Sequence, residues 1–208
     1  MKDPIALIEE KVASKNTMEI NLDDTVIERI DERLAQKLES VCGLTILTLN
    51  DCNLCTLKNF PKLPELLRLE LINNKFEADD LRHLLQLKKL QSLSLNNCKI
   101  RDINDLRVLT EFEELVQLDV NYTDITKQTN FTKEIFELLP NLQILNNKDD
   151  KGNDIEYSSE SNEIEESETD SKEDYSDEDY DDDSEEYYQS EENDQAMDNG
   201  RLKRHKVD

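Results

Sequence analysis

The stretch from Leu44 to Cys55 reads LTILTLNDCNLC and ends in a Cys-x-x-Cys pair, Cys52 and Cys55, the spacing at which two thiols hold a metal or exchange a disulfide. A zinc site needs a second pair of ligands. The chain has four cysteines, Cys42, Cys52, Cys55 and Cys98, with no other Cys-x-x-Cys and no His-x-His cluster. Its two histidines, His83 and His205, stand in no motif with a nucleophile and an orienting acid, and three glycines leave no Gly-rich phosphate loop. These residues argue against an enzyme, a metal and a cofactor. Something other than chemistry must set the cysteine spacing.

That something is a repeat. The template L-x-x-L-x-L-x-x-N/C-x-L fits Leu44, Leu47, Leu49, Cys52 and Leu54; then Leu66, Leu69, Leu71, Asn74 and Phe76; then Leu90, Leu93, Leu95, Cys98 and Ile100. A fourth unit, Leu115, Leu118, Val120, Thr123 and Ile125, carries Thr at the polar position, and a fifth starts at Leu139 with Leu142, Ile144 and Asn147. The starts lie 22, 24, 25 and 24 residues apart, within the range of leucine-rich repeats. Cys52 and Cys98 thus occupy the position whose side chain satisfies backbone groups in the turn leaving the strand. The thiols have a packing role and, in a reducing compartment, stay reduced.

Each repeat supplies one short strand whose leucines point inward while the alternate residues line a concave face. The fold expected is an α/β leucine-rich repeat solenoid, right-handed, with a parallel concave sheet and a helical or irregular convex side. Helices are expected along DDLRHLLQLKKL from Asp79 and FTKEIFELLPNL from Phe131, with Asp79 or Asp80 and Asn130 as N-caps. The return through Phe60-Pro61-Lys62-Leu63-Pro64 must be extended or tightly turned. Solenoid ends need caps. At the front, PIALIEEKVASK reads as an amphipathic helix, and a partial repeat near residue 17 places Ile20 and Leu22 in strand positions; behind the last repeat, NNKDDKGNDI closes the sheet.

The concave columns read Ile46, Arg68, Ser92, Gln117; Thr48, Glu70, Ser94, Asp119; Asn50, Ile72, Asn96, Asn121; and Asp51, Asn73, Asn97, Tyr122. A solvated face without a hot spot is one reading. If the face binds a partner, Asp51, Glu70 and Asp119 are the candidate salt-bridge acceptors and Tyr122 the amphipathic anchor.

Charge divides the chain. Of the formal net charge of −25, residues 1–150 carry −8 and residues 151–208 carry −17. The acidic segment, 151–200, is too poor in branched apolar residues to offset an ordering entropy of roughly 1–2 kcal/mol per residue, so it reads as a disordered interaction tail. Its charge excludes direct nucleic-acid binding and favours basic proteins. Ser167, Ser171 and Ser176 each have an acid three residues on, which suits an acidophilic kinase. Arg201, Lys203, Arg204 and Lys206 form a basic cluster at 201–206 that fits a one-part nuclear import signal and so an import receptor. The first residues lack a signal-peptide apolar region and no run approaches about 18 apolar residues, so a soluble intracellular protein without a membrane partner is expected.

Taken together, the stretches FPKLPELLRLELINNKF, LQSLSLNNCKIRDI and FELLPNLQILNNKDD, followed by an acidic tail and a basic cluster, resemble the acidic leucine-rich nuclear phosphoprotein 32 family over nearly the whole chain. The chain differs in having Asn146-Asn147-Lys148 where that family usually has Asp-Gly-Tyr. The resemblance implies a nuclear protein, shuttling to the cytoplasm, that binds histones as a chaperone or chromatin regulator. Inhibition of protein phosphatase 2A is the alternative it implies. A third expectation is an adaptor subunit of a ribonucleoprotein, which would not need the tail.

Overall fold

The computed structural model describes residues 3–13 and 17–155. Six strands form one parallel sheet in chain order: β1 Glu19–Asn21, β2 Ile46–Thr48, β3 Arg68–Glu70, β4 Ser92–Ser94, β5 Gln117–Asp119 and β6 Ile144–Leu145. The central residues stack in register, Ile20 opposite Leu47, then Leu69, Leu93 and Leu118. All are fully buried, as are Leu49, Leu71 and Leu95, the second inward leucines. Burial of such a side chain stabilises by about 1.5–3 kcal/mol, and one repeat alone has nothing to bury it against. The fold is the leucine-rich repeat solenoid expected from the template.

Leucine spacing decides which kind of helix runs along the convex side. Leu81, Leu84, Leu87 and Leu90 recur every three residues, and all are fully buried. Three residues make one turn of a 3₁₀ helix, so this spacing aligns them on one edge. The helix expected from Asp79 is accordingly 3₁₀ over Ala78–Leu84, and Ile103–Glu111, with Leu106 and Leu109 inward, follows the same rule. Four-residue spacing gives α-helices instead: Leu34 and Leu38 in α2 (Glu32–Glu39), Phe131 and Ile135 in α3 (Phe131–Leu138). The return through Phe60 to Pro64 has no helix, as the prolines require.

The caps differ in part from expectation. Pro4–Val12 is a helix, α1, as expected; Asp3 caps it by accepting from Ile5 N at 3.1 Å. It packs against α2, an element the sequence pattern did not single out, whose start is capped by Asp31 accepting from Leu34 N at 2.8 Å. Asp79 and Asp80 lie within the first turn of their 3₁₀ helix rather than at its N-cap, which is Glu77. Asn130 does hold the N-cap position of α3, but it sits at φ 67° and its side chain makes no capping bond.

The last repeat is displaced by three residues. The template places Leu142 opposite Leu118, whereas Leu145 takes that place and Ile144 stands opposite Gln117. The displacement has a cause in the preceding return. A regular α-helix, α3, occupies it, Leu139 ends that helix as its C-cap, and Pro140 follows. The chain must run further before it rejoins the sheet. An odd-numbered slip exchanges the faces of a strand, so Ile144 moves from the inward row to the concave column. The chain then folds back: Lys148 bridges to Leu145 and to Asp154, and Ile155 N donates to Asn147 O at 2.8 Å. The described fold therefore reaches Ile155, five residues past the boundary expected at 150.

Candidate functional site: the concave cleft and its rim

At the turns leaving β2, β3 and β4, one buried side chain reaches back to the preceding repeat. Cys52 Sγ donates to Leu22 O at 3.2 Å, Asn74 Nδ2 to Leu49 O at 2.8 Å and Cys98 Sγ to Leu71 O at 3.1 Å. The three acceptors are equivalent leucines, so the ladder is continuous. Thr123 takes the fourth rung but bonds locally, to Val120 O. Burial pushes the Cys52 thiol up to about 12 and the Cys98 thiol up to about 11, so both remain protonated at neutral pH and neither is a nucleophile or a ready metal ligand. Cys42 and Cys55 are exposed. Among the described residues no group of three or more His, Cys, Asp and Glu is placed to hold a metal. Because Asn74 does the same work as its neighbours, Cys52→Asn is expected to fold and to stay within about 1 kcal/mol of the parent, as read from urea unfolding.

The four candidate binding residues separate into two groups. Glu70 and Asp119 lie in a concave cleft of about 750 Å³; Asp51 and Tyr122 lie on a rim outside its lining. In the cleft, Glu70 Oε1 accepts from Arg68 Nη2 at 2.6 Å and Nε at 2.9 Å, and Glu70 Oε2 accepts from Asn50 Nδ2 at 2.8 Å. Asp119 is 7% exposed. Its Oδ2 accepts from Ser94 Oγ and from Gln117 Nε2, both at 3.1 Å. Burial raises the Asp119 pKa above the ordinary carboxylate range, and Glu70 adds to that; the two hydrogen bonds and Arg68 oppose it. The expected solvated face is therefore partly closed: Thr48, Ser92, Ser94, Gln117 and Asp119 are all buried, because neighbouring side-chain rows pack over one another.

The far wall of the cleft comes from Asn147, Asp154 and Ile155, which belong to the segment that folds back after β6. Asp154 is held there by an ion pair with Lys148. Asn147 stands in the fifth repeat of the template, whereas Asp154 and Ile155 carry no repeat signal and reach the sheet only through the fold-back. Gln117 and Arg68 stood in the predicted columns without being singled out, since neither is an acid.

The rim is a row of residues with positive φ at the strand exits, namely Asp24, Asp51, Asn73, Asn97 and Tyr122. Asn97 Nδ2 donates to Asn73 Oδ1 at 2.8 Å, and Asn73 Nδ2 donates to Asp51 Oδ1 at 2.9 Å. Asn and Asp are the side chains that tolerate this conformation best. Tyr122 has φ 61° and is 87% exposed, so it accepts the backbone cost without gaining burial. The conformation belongs to the strand exit, since the equivalent Asp24, Asp51, Asn73 and Asn97 share it, and the tyrosine adopts it at a cost to the fold. Tyr122→Asn is expected to stabilise the fold by about 0.5–1 kcal/mol, measured as a higher urea midpoint. An unchanged or lower midpoint would show that the ring is part of the packing.

Ser167, Ser171 and Ser176, and the basic cluster Arg201, Lys203, Arg204 and Lys206, lie outside the described residues.

A parallel sheet with one strand per repeat, 3₁₀ and α returns, and a capped concave face define a leucine-rich repeat protein. The solved Drosophila melanogaster SNF/U2A′ complex contains a chain of this fold, matched with a TM-score of 0.55 at 21% identity over 68% of this chain and 83% of that one. Relatives by sequence are more specific. An acidic leucine-rich nuclear phosphoprotein 32 family member A of Drosophila melanogaster is 39% identical over 149 residues, which is 70% of this chain and 53% of the relative. A related protein of that family from Plasmodium falciparum is 29% identical over 150 residues, 71% of this chain and 53% of its own length. The chain is a homologue of the acidic leucine-rich nuclear phosphoprotein 32 family, whose name marks its members as nuclear phosphoproteins. A Tetrahymena thermophila protein named as a histone is 40% identical over 132 residues, 64% of this chain and 34% of that protein. The chain spans about half the length of the family-named relatives it matches. No protein-family model matches it.

Proposed function

We propose that the chain is a non-enzymatic nuclear histone-binding protein, acting as a histone chaperone or chromatin regulator. The observation that carries this reading is the pairing of a concave cleft walled by Glu70, Asp119 and Asp154 with a following segment of net charge −17. The cleft offers orientation; the acidic segment screens basic surface by many exchangeable ion pairs. Relatives named as nuclear phosphoproteins, and one named as a histone, are in keeping with it. Phosphorylation at Ser167, Ser171 and Ser176 would add about −1.5 to −2 charge each and strengthen the contact. The basic cluster at 201–206 serves import.

Exposed ion pairs act within a Debye length of about 8 Å at physiological salt, so capture of core histones is expected to fall steeply as salt rises. It is also expected to weaken when residues 156–198 are removed. The deletion starts after Ile155 because Asp154 and Ile155 belong to the cap. A pull-down with purified core histones tests both; undiminished capture by the deleted form, or no capture by the full chain, overturns the proposal.

A further inference from the structure

The cleft contains two acceptors that the protein leaves unpaired. Gln117 Oε1 and Asp119 Oδ1 are buried and have no hydrogen-bond partner. The two residues are i and i+2 on β5, so both side chains leave the same face of the sheet, and both line the cleft. They are 5% and 7% exposed. Their own donors are already committed to the second oxygen of the carboxylate, since Ser94 Oγ and Gln117 Nε2 both donate to Asp119 Oδ2. An ionised Asp119 also fixes the Gln117 amide with its nitrogen toward the carboxylate, which leaves the carbonyl oxygen facing elsewhere. The nearby cation does not answer the deficit, because Arg68 directs Nε and Nη2 at Glu70.

A buried acceptor pair without donors calls for a ligand that brings donors and no acceptors. Carboxylates and phosphates bring the reverse. An ammonium is a compact, strongly hydrated point charge, whereas a guanidinium is planar, more weakly hydrated and presents five N–H groups in a fixed fork. Glu70 and Asp154 on the walls add negative potential, and Ile72 and Ile155 offer apolar surface to a methylene stem. We infer that the cleft is a subsite for one arginine side chain of the partner, whose guanidinium donates to Gln117 Oε1 and Asp119 Oδ1. This assignment rests on the reading that the partner is a basic protein, and it names the residue type that the cleft selects.

The full chain, labelled with ¹⁵N, is titrated with N-acetyl-arginine methylamide, then with the citrulline and lysine counterparts. Salt is held at about 1 M, where exposed charges are screened beyond roughly 3 Å while buried pairs persist. The expected result is saturable shifts at the amides of Ser94, Gln117 and Asp119 with the arginine probe, and binding roughly tenfold weaker or worse with the other two. Citrulline keeps the shape without the charge, so this arm does not depend on any variant folding. Asp119→Asn is expected to abolish the response and Glu137→Gln, exposed on α3, to leave it. Equal binding of citrulline or lysine, or no shift at the cleft amides, overturns the assignment. Histone capture with a silent cleft removes this subsite and leaves the partner reading; a responsive cleft without histone capture does the reverse.

Discussion

Replacing Asn74 with leucine is expected to lower the stability of the repeat domain by about 3 kcal/mol or more, although the two side chains are close in volume. Asn74 is 4% exposed. Its Nδ2 donates to Leu49 O at 2.8 Å and Leu71 O at 2.9 Å, and its Oδ1 accepts from Leu54 N at 2.9 Å. Leucine leaves Leu49 O and Leu54 N buried and unpaired, each at a cost of about 1–3 kcal/mol, while Leu71 O keeps the bond from Cys98 Sγ. A domain holds only about 5–15 kcal/mol in total, so one rung accounts for a large share. Asn74→Cys is the control. Cys52 and Cys98 hold the equivalent place and keep the bond to the preceding repeat, so the cysteine variant is expected to lose roughly half as much. Urea unfolding followed by circular dichroism reads both. A leucine variant with the parent's midpoint would mean that the ladder is not what joins the repeats.

The same ladder explains how much of this fold was legible in the sequence. Rungs at Cys52, Asn74 and Cys98 and the leucines opposite one another on successive strands are set by contacts between equivalent positions, so they recur at fixed spacing and can be read as a pattern. The returns are set by a different contact, the fit of each convex segment over its own core. There the pattern of Leu81, Leu84 and Leu87 marks a helix, and their three-residue spacing is what makes it 3₁₀. The displacement of Leu145 into the place expected for Leu142 follows from the length of chain that α3 consumes, which no template contains. The cleft was legible by half. Glu70 and Asp119 stand in a predicted column, but Asp154 and Ile155 reach the sheet only through a fold-back after the last repeat. Burial of Gln117 and Asp119 also escaped the alternation rule, because concavity packs the side chains of neighbouring strands against one another.

That burial makes Asp119 the residue at which stability and binding should oppose each other. Asp119→Asn is expected to raise the stability of the free protein at neutral pH by about 1 kcal/mol, since it removes a buried charge while keeping the shape and an oxygen for Ser94 and Gln117. The effect should depend on pH with a definite sign. The folded-state pKa lies above the ordinary value near about 4, so between those two values the folded state binds more protons than the unfolded chain. Stability from this group is therefore gained as pH falls from neutral toward about 4, and lost as pH rises again. Exposed acids such as Glu77, lowered by its bond to Lys99, and Asp124, lowered by its bond to Lys127, act in the opposite direction, so the parent's profile alone is not diagnostic. The informative quantity is the difference between variant and parent, measured by urea unfolding at steps from pH 7 to about pH 4. It should shrink on acidification, because the parent's own carboxyl is then protonated and the two side chains become nearly equivalent. A difference that stays constant with pH, or a destabilised variant, would show that the carboxylate is fully satisfied by Ser94 and Gln117. A variant that folds more tightly and yet no longer responds to the arginine probe would identify Asp119 as a charge the fold retains for a ligand, at its own expense in stability.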